Sequence, residues 1–238
     1  MSKKKLLWNE QAKNILSVFW LRPFSAVIRL IEAQLLSLDS YEGSSLELAC
    51  GDGIFSYLAK GGKLPDSFCA YKDIKTTHQY EPDSPNKSVD LFDQKISEFN
   101  AYPKQNFPLW DYGFDHKSQL LEKANQLNVF KNTHNLNFDD HEFKSKLIDI
   151  VGRNSIDLVF SNSLYWTQNT NLVLTSCREI MTDNATALFT LISPRYFQNM
   201  TLNRRRHQSH FANFLDRGRA SLFYNPRSYE DWYDIFNN

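Results

Sequence analysis

The sequence predicts an α/β fold, with a central, mostly parallel β-sheet and helices on both of its faces. Three observations lead there. Short apolar runs that end in acidic or small polar residues alternate with amphipathic stretches. The segment SLELACGDGIFSYLAKGG, residues 45–62, joins the first such run to a helix through a glycine turn. The 238-residue chain, 42% hydrophobic, 14% aromatic and 23% charged, carries apolar groups enough for a sizeable core and reads as one folded domain with an insertion, not as a disordered chain.

Charge and cysteine content exclude several classes. Lys plus Arg number 27 and Asp plus Glu number 27, so no net basic field gathers nucleic acid or an anionic membrane, and any partner has to be recognised by a site. Cys50, Cys69 and Cys177 are isolated and lack CxxC spacing. That pattern argues against a disulfide framework or a zinc site and fits a reducing cytoplasm.

Residues 1–43 read as an N-terminal helical segment. MSKKKLLW looks like the start of a signal peptide, but NEQAK interrupts it, and the next apolar run, ILSVFWL, stops at Arg22-Pro23. Neither run is long enough to span a bilayer. From Trp8 to Leu38 apolar residues recur at three and four positions, with Pro23 ending one helix or opening the next. Two readings stand: helices packed on the domain, or a lid over a ligand.

Ser44 to Ala49 reads as a short buried strand, Gly51 and Gly53 as the turn, GIFSYLAK as a helix, and Gly61-Gly62 as its end. A strand, a glycine turn and a helix make an anion-ready site, where free N–H groups face whatever lies above the turn. Dinucleotide sites use it with the pattern G-x-G-x-x-G, but Ser56 stands in the third glycine's place. Glu47, four residues before Gly51, suits the cationic end of a ligand better than a diphosphate.

ELACGDG, residues 47–53, resembles the E/D-x-G/A-x-G-x-G motif of class I S-adenosylmethionine-dependent methyltransferases, with Ala49 in place of the more usual glycine. The resemblance implies a Rossmann-like methyltransferase fold, occupying 44–238, with S-adenosyl-L-methionine as cofactor. It runs in order over residues 8–238. Glu47, Ala49, Cys50, Gly51 and Gly53 match the part of the motif that holds the methionine end.

The family's second strand ends in an acid that binds the ribose hydroxyls. LWDYGFDHKSQLLEKANQL supplies it as Asp115, followed by an amphipathic helix, and residues 63–108 then become an insertion after the first helix. SFCAYKDI, ending at Asp73, is the rival and meets the dinucleotide spacing of about twenty residues. NVFKNTHNLNFDDHEF reads as a strand running into a polar turn. There the resemblance implies adenine contacts from Asn137, Phe138 and Asp139; a solvated loop with an acidic helix cap is the alternative.

Ile156 to Phe160 reads as the fourth strand, running into Ser161, Asn162 and Ser163, which the resemblance makes the floor of the site. Tyr165 and Trp166 match positions that line the acceptor pocket, though large rings more often pack in cores. The loop is not the N/D-P-P-Y/W sequence of enzymes that methylate adenine or glutamine nitrogen, which counts against nucleic acid.

NLVLTSCREIMTDNATALFTLISP reads as a helix, a turn at MTDNA and a fifth strand. SYEDWYDIF is a further helix, capped by Ser228 with Asp231 three residues on. The family's last two strands then have no counterpart, so the fifth strand is expected to be a sheet edge in a shortened chain or one covered by a partner chain.

Arg204, Arg205 and Arg206 with His207 and His210 form the one basic cluster, able to hold a phosphate or an RNA backbone, or simply a solvated loop. No acid or cysteine completes a metal site near the histidines, so no metal is expected. G-x-S-x-G, H-E-x-x-H and G-x-x-x-x-G-K-[ST] are all absent. The sequence therefore points to methyl transfer onto a small-molecule, glycan- or lipid-linked acceptor. Tyr165, His207 and His210 are candidates for a base. The alternatives are a binding protein that kept the fold without turnover, an RNA methyltransferase and, last, a dinucleotide oxidoreductase.

Overall fold

A computed structural model of the chain describes residues 3–19, 23–38, 43–64, 110–164 and 167–191. Several sequence expectations lie outside these residues: the insertion beyond residue 64 with Asp73 and Cys69, the aromatic pair Tyr165 and Trp166, the arginine cluster with His207 and His210, and the helix at 228–236.

Two helices come first, α1 (Lys3–Val18) and α2 (Pro23–Leu38), with Pro23 opening the second. Proline suits a first helical position because its missing N–H would have no partner there. The chain then alternates: β1 (Ser45–Leu48), α3 (Ile54–Ala59), β2 (Trp110–Asp115), α4 (Ser118–Leu127), β3 (Phe130–Asn135), α5 (Phe143–Val151), β4 (Ile156–Ser161), α6 (Thr170–Ile180) and β5 (Met181–Phe189).

The five strands form one sheet in the order β3-β2-β1-β4-β5, and every neighbouring pair is parallel. This is the order of a Rossmann-like doubly wound sheet. Parallel strands need crossover connections, and the helices supply them. Leu121, Ala124 and Leu127 of α4 share one core cluster with α3 and with Ile15, Val18, Ala33 and Leu36 of α1 and α2. Phe143, Leu147 and Val151 of α5 share the second cluster with Val173, Cys177 and Ile180 of α6. Helices thus cover both faces, as the sequence predicts.

The change of face falls between β1 and β4, where the strand order reverses. In open α/β sheets the crevice beyond the strand ends at such a point is where ligands bind.

The N-terminal helices pack on the domain. The Gln11 side chain donates to Leu58 O at 3.3 Å and to Ala59 O at 2.6 Å, taking up carbonyls at the end of α3. Lys63 Nζ pairs with Glu10 Oε2 at 2.9 Å on the surface beside it. These contacts pack α1 against the end of α3.

One local expectation changes. The MTDNA turn is absorbed into β5: Ile156 pairs with Met181, but Leu158 pairs with Thr186, so the register shifts between the two strands. The surplus on β5 holds Asp183 and Asn184, both exposed, while the Thr182 hydroxyl donates to Asp157 Oδ1 at 2.8 Å. The polar residues that read as a turn stand out from the strand as an irregularity within it. Among the described residues β5 is the last strand on its side of the sheet.

Candidate functional site

β1 sets the site by alternation. Leu46 and Leu48 point into the cluster beneath α5 and α6, which leaves Glu47 facing the opposite layer, where α3 lies. Glu47 is paired in register with Phe160 of β4 and Gly113 of β2, and its side chain is buried. The Ser56 hydroxyl, from the first turns of α3, donates to Glu47 Oε2. Burial pushes the Glu47 carboxyl up to about 8; Ser56 and the Arg29 charge oppose this, while Glu32 and Asp115 add to it. Ser56, out of place in a dinucleotide fingerprint, is thus explained by the acid beneath it.

The turn after β1 carries a run of left-handed residues: Ala49 at φ 57°, Gly51 at φ 59° and Gly53 at φ 74°. Its two glycines do different work. A Cβ on Gly51 would meet nothing within 4 Å, so this residue lies beside open space. A Cβ on Gly53 would stand 3.1 Å from Ala124 Cβ and 3.2 Å from Ala124 Cα, so this residue lets α3 approach α4 closely. The end of α3 follows the expected glycine pattern, with Gly61 N–H donating to Leu58 O and Gly62 N–H to Tyr57 O.

Asp115 closes the turn from β2. Its Oδ2 accepts the Gly51 N–H at 2.9 Å and its Oδ1 accepts the Lys117 N–H at 2.9 Å. His116 Nδ1 also lies 3.4 Å from Oδ1, so of about four acceptor sites on a carboxylate the spare one is on Oδ2. β2 lies directly beside β1, and Cys50 N–H donates to Phe114 O, which draws the ends of the two strands together.

The amide groups of the turn are largely committed inside the protein. Gly51 N–H goes to Asp115, Gly53 N–H to Cys50 O, and Ile54 N–H to Asp52 Oδ1. Three of the amides expected to face an anion are thus already engaged within the protein. Glu47, Asp52 and Asp115 instead surround the turn with carboxylates, and all three charges act with burial, the dominant cause, to push the Cys50 thiol upward. Such surroundings repel a diphosphate and attract a cation. Cys50 and Cys177 are buried and unbridged.

At the end of β3 the three adenine candidates have distinct settings. Asn137 is exposed and its Oδ1 accepts the Asp139 N–H at 3.1 Å. Phe138 is buried edge-on against Phe143, with ring centroids 5.4 Å apart, as part of the core. Asp139 Oδ1 accepts the N–H groups of Gln168 at 2.7 Å and Asn169 at 3.2 Å, tying this loop to the start of α6. Asp140 Oδ1 accepts the Glu142 N–H in a turn that leads into α5, whose N-cap, Glu142, makes no side-chain capping bond.

Ser161 and Asn162 are buried at the end of β4, and Ser163 is half-buried beside them. Ser161 O accepts the Thr190 N–H at 2.9 Å, and the Ser163 hydroxyl donates to Asn162 Oδ1 at 2.9 Å. The loop thus follows the strand end adjacent to β1, at the switch point. Glu47, Ala49, Cys50, Gly51, Gly53, Asp115 and Ser161 to Ser163 gather at this end of the sheet, while Asn137 to Asp139 follow β3, one strand beyond Asp115.

Sequence reasoning missed Arg29 and Glu32. Arg29 Nη1 donates to Glu32 Oε2 at 2.9 Å, and the guanidinium lies 5.1 Å from the Phe55 ring centroid. Glu32 is buried and also accepts from the Thr190 hydroxyl. The signal was an opposite-charge pair three apart in PFSAVIRLIEAQLLSL, where the rest of the helix is almost wholly apolar. Among the described residues no group of three or more His, Cys, Asp or Glu side chains could hold a metal ion, and no helix is long and apolar enough to cross a membrane.

No family model matches the chain, and no curated protein matches it. Among solved structures it is similar to an S-adenosylmethionine-dependent methyltransferase from Mesorhizobium loti, at 11% identity and a TM-score of 0.38, over 68% of this chain and 52% of that one. It is also similar to a candidate S-adenosyl-L-methionine-dependent methyltransferase from Methanococcus maripaludis, at 11% identity and a TM-score of 0.44, over 95% of this chain and 81% of that one. The chain spans about half the length of the first of these.

Proposed function

We propose that the chain is an S-adenosylmethionine-dependent methyltransferase acting on a small-molecule, glycan- or lipid-linked acceptor. One observation carries the reading: carboxylates, not free amides, surround a glycine turn at the switch point of a parallel sheet. A diphosphate would meet Asp52 and Asp115 as like charges, and its presence would further oppose ionisation of Glu47, already pushed up to about 8 by burial. A ligand bearing a sulfonium and an ammonium meets them as partners. Glu47 would hold the cationic methionine end, Gly51 would admit the ligand's close approach, and Asp115 would accept from a ribose hydroxyl with the acceptor capacity left on its Oδ2.

The bound cofactor would supply an electrophilic methyl group, so the protein's task is chiefly to align an acceptor and exclude water. A dedicated catalytic side chain is needed only where the acceptor atom must lose a proton.

Calorimetric titration of S-adenosylhomocysteine, with NADH as control, tests the reading. We expect binding of the first alone, at about micromolar Kd, and a loss of at least about tenfold on Asp115→Ala or Gly51→Arg. Binding of NADH alone, or affinity for S-adenosylhomocysteine unchanged in both variants, would overturn it. A Gly51→Arg variant is informative because the fold itself has room at that position.

A further inference from the structure

Helix α2 is apolar on two sides and buried on only one. Ala26, Ala33 and Leu36 are buried together with Glu32, while Val27, Ile31 and Leu35, at spacings of four, stand 49%, 53% and 46% exposed on the opposite face. A helix on a protein surface ordinarily turns charged and polar residues to water. Here the only two charges of the helix, Arg29 and Glu32, pair with each other, and the outer face carries none. Helix α1, which shares a core cluster with α2, adds Leu16, 42% exposed, to the apolar surface of this layer.

Charge is distributed unevenly as well. Residues 1–38 contain six lysines and arginines against two acids, Glu10 and Glu32, so in a chain with 27 charges of each sign the rest carries the balancing acidic excess. Both acids are already matched, Glu32 by Arg29 and Glu10 by Lys63 from outside the segment. The basic surplus lies in α1, which opens with Lys3, Lys4 and Lys5 and has Lys13 exposed three residues before Leu16, on the same side of the helix. An apolar outer face with a basic margin suits a bilayer interface, where apolar groups enter the acyl boundary and lysines meet anionic headgroups. A second copy of the chain would match the apolar face but would bring the same positive excess to the contact. An anionic lipid surface matches both. Neither helix is long and apolar enough to cross a bilayer, so the contact is with one leaflet.

We propose that α1 and α2 form a docking face for anionic lipid bilayers, with Leu16, Val27, Ile31 and Leu35 entering the interface and the lysines of α1 meeting the headgroups. The neutrality of the whole chain does not oppose this, because its acidic excess lies beyond residue 38 and exposed charges more than a Debye length from the headgroups are largely screened. The face is independent of the glycine turn, so vesicle binding and cofactor titration test the two readings separately.

Flotation of the full chain with vesicles tests the proposal, comparing phosphatidylcholine alone with an equimolar mixture of phosphatidylcholine and phosphatidylglycerol. Binding to the mixture is expected to exceed binding to phosphatidylcholine by about tenfold or more and to weaken as salt is raised. Ile31→Glu and Leu35→Glu should each lower it by about tenfold or more, and Lys13→Ala by about fivefold. Ile31→Ser and Leu35→Ser, which remove the apolar groups without adding charge, should weaken binding in the same direction and keep the test decisive if a glutamate variant does not fold. Binding to neither vesicle, equal binding to both, or variants that bind as the wild type does would overturn the proposal. A dimer seen by light scattering without lipid, and dissociated by Ile31→Glu, would overturn it too, since a second copy would then occupy the face.

Discussion

Replacing Glu47 by glutamine should flatten the pH dependence of stability. A buried carboxyl pushed from 4.5 to about 8 binds its proton more tightly in the folded chain than in the unfolded one. Between those two values the folded state therefore holds more protons, and stability falls as pH rises. The contribution is fully present below about 4.5 and lost by about 8. At about 1.4 kcal/mol per pH unit, the interval corresponds to a loss on the order of 4–5 kcal/mol. A glutamine at this position keeps a side-chain oxygen for the Ser56 hydroxyl and has no proton to lose. Urea unfolding between about pH 5 and 9 should show the wild type weakening across this window and Glu47→Gln doing so far less, with the variant the more stable protein above about pH 8. A cationic ligand reverses the sign of the coupling, because it needs the ionised carboxylate. Wild-type affinity should then rise by up to about tenfold per pH unit below about 8, with proton release visible as a dependence of the calorimetric enthalpy on buffer, and the variant should lose both. Parallel pH profiles for the two proteins, without ligand and with it, would refute the reasoning.

Two further substitutions separate roles that look alike in the sequence. Gly53→Ala combines a left-handed backbone with a Cβ pressed on Ala124 and should cost roughly 2–4 kcal/mol, whereas Gly51→Ala meets open space and should cost about 1 kcal/mol; thermal melts of the two variants compare them, and equal shifts would contradict the packing described. Asp139→Ala removes the acceptor for the Gln168 and Asn169 N–H groups, so amide exchange at those residues should quicken by about tenfold while exchange in β1 and β4 stays unchanged.

How legible the fold was depended on whether the informative contacts are local. The β1 turn could be read because its ingredients are neighbours in sequence: an acid, two glycines and a short apolar helix ending in Gly61-Gly62. Placing the strand that ends in Asp115 next to β1 rested on the family resemblance, since SFCAYKDI is also an apolar run ending in an acid, and the structure puts β2 there. The commitment of the Gly51 N–H to Asp115 could not be read, since it joins residues brought together only when the sheet forms. The same holds for the Arg29–Glu32 pair, which as a local pattern looks like an ordinary surface pair and becomes informative only through Phe55 and Thr190. MTDNA misled because polar residues with turn chemistry also suit a strand irregularity, and only the register with β4 distinguishes the two.

The Gln11 side chain that closes the end of α3 has a wider consequence. A six-residue helix has too few internal hydrogen bonds to hold its shape unaided. Here its far end is finished by a residue 47 and 48 positions upstream, from a segment that contributes nothing to the glycine turn itself. Removing the first helix would therefore loosen the turn from behind, and a version trimmed to the apparent sheet domain would lose its binding geometry with every turn residue still in place. On the proposed function the opening helix would serve the site as a brace, and the binding unit would begin before the first strand.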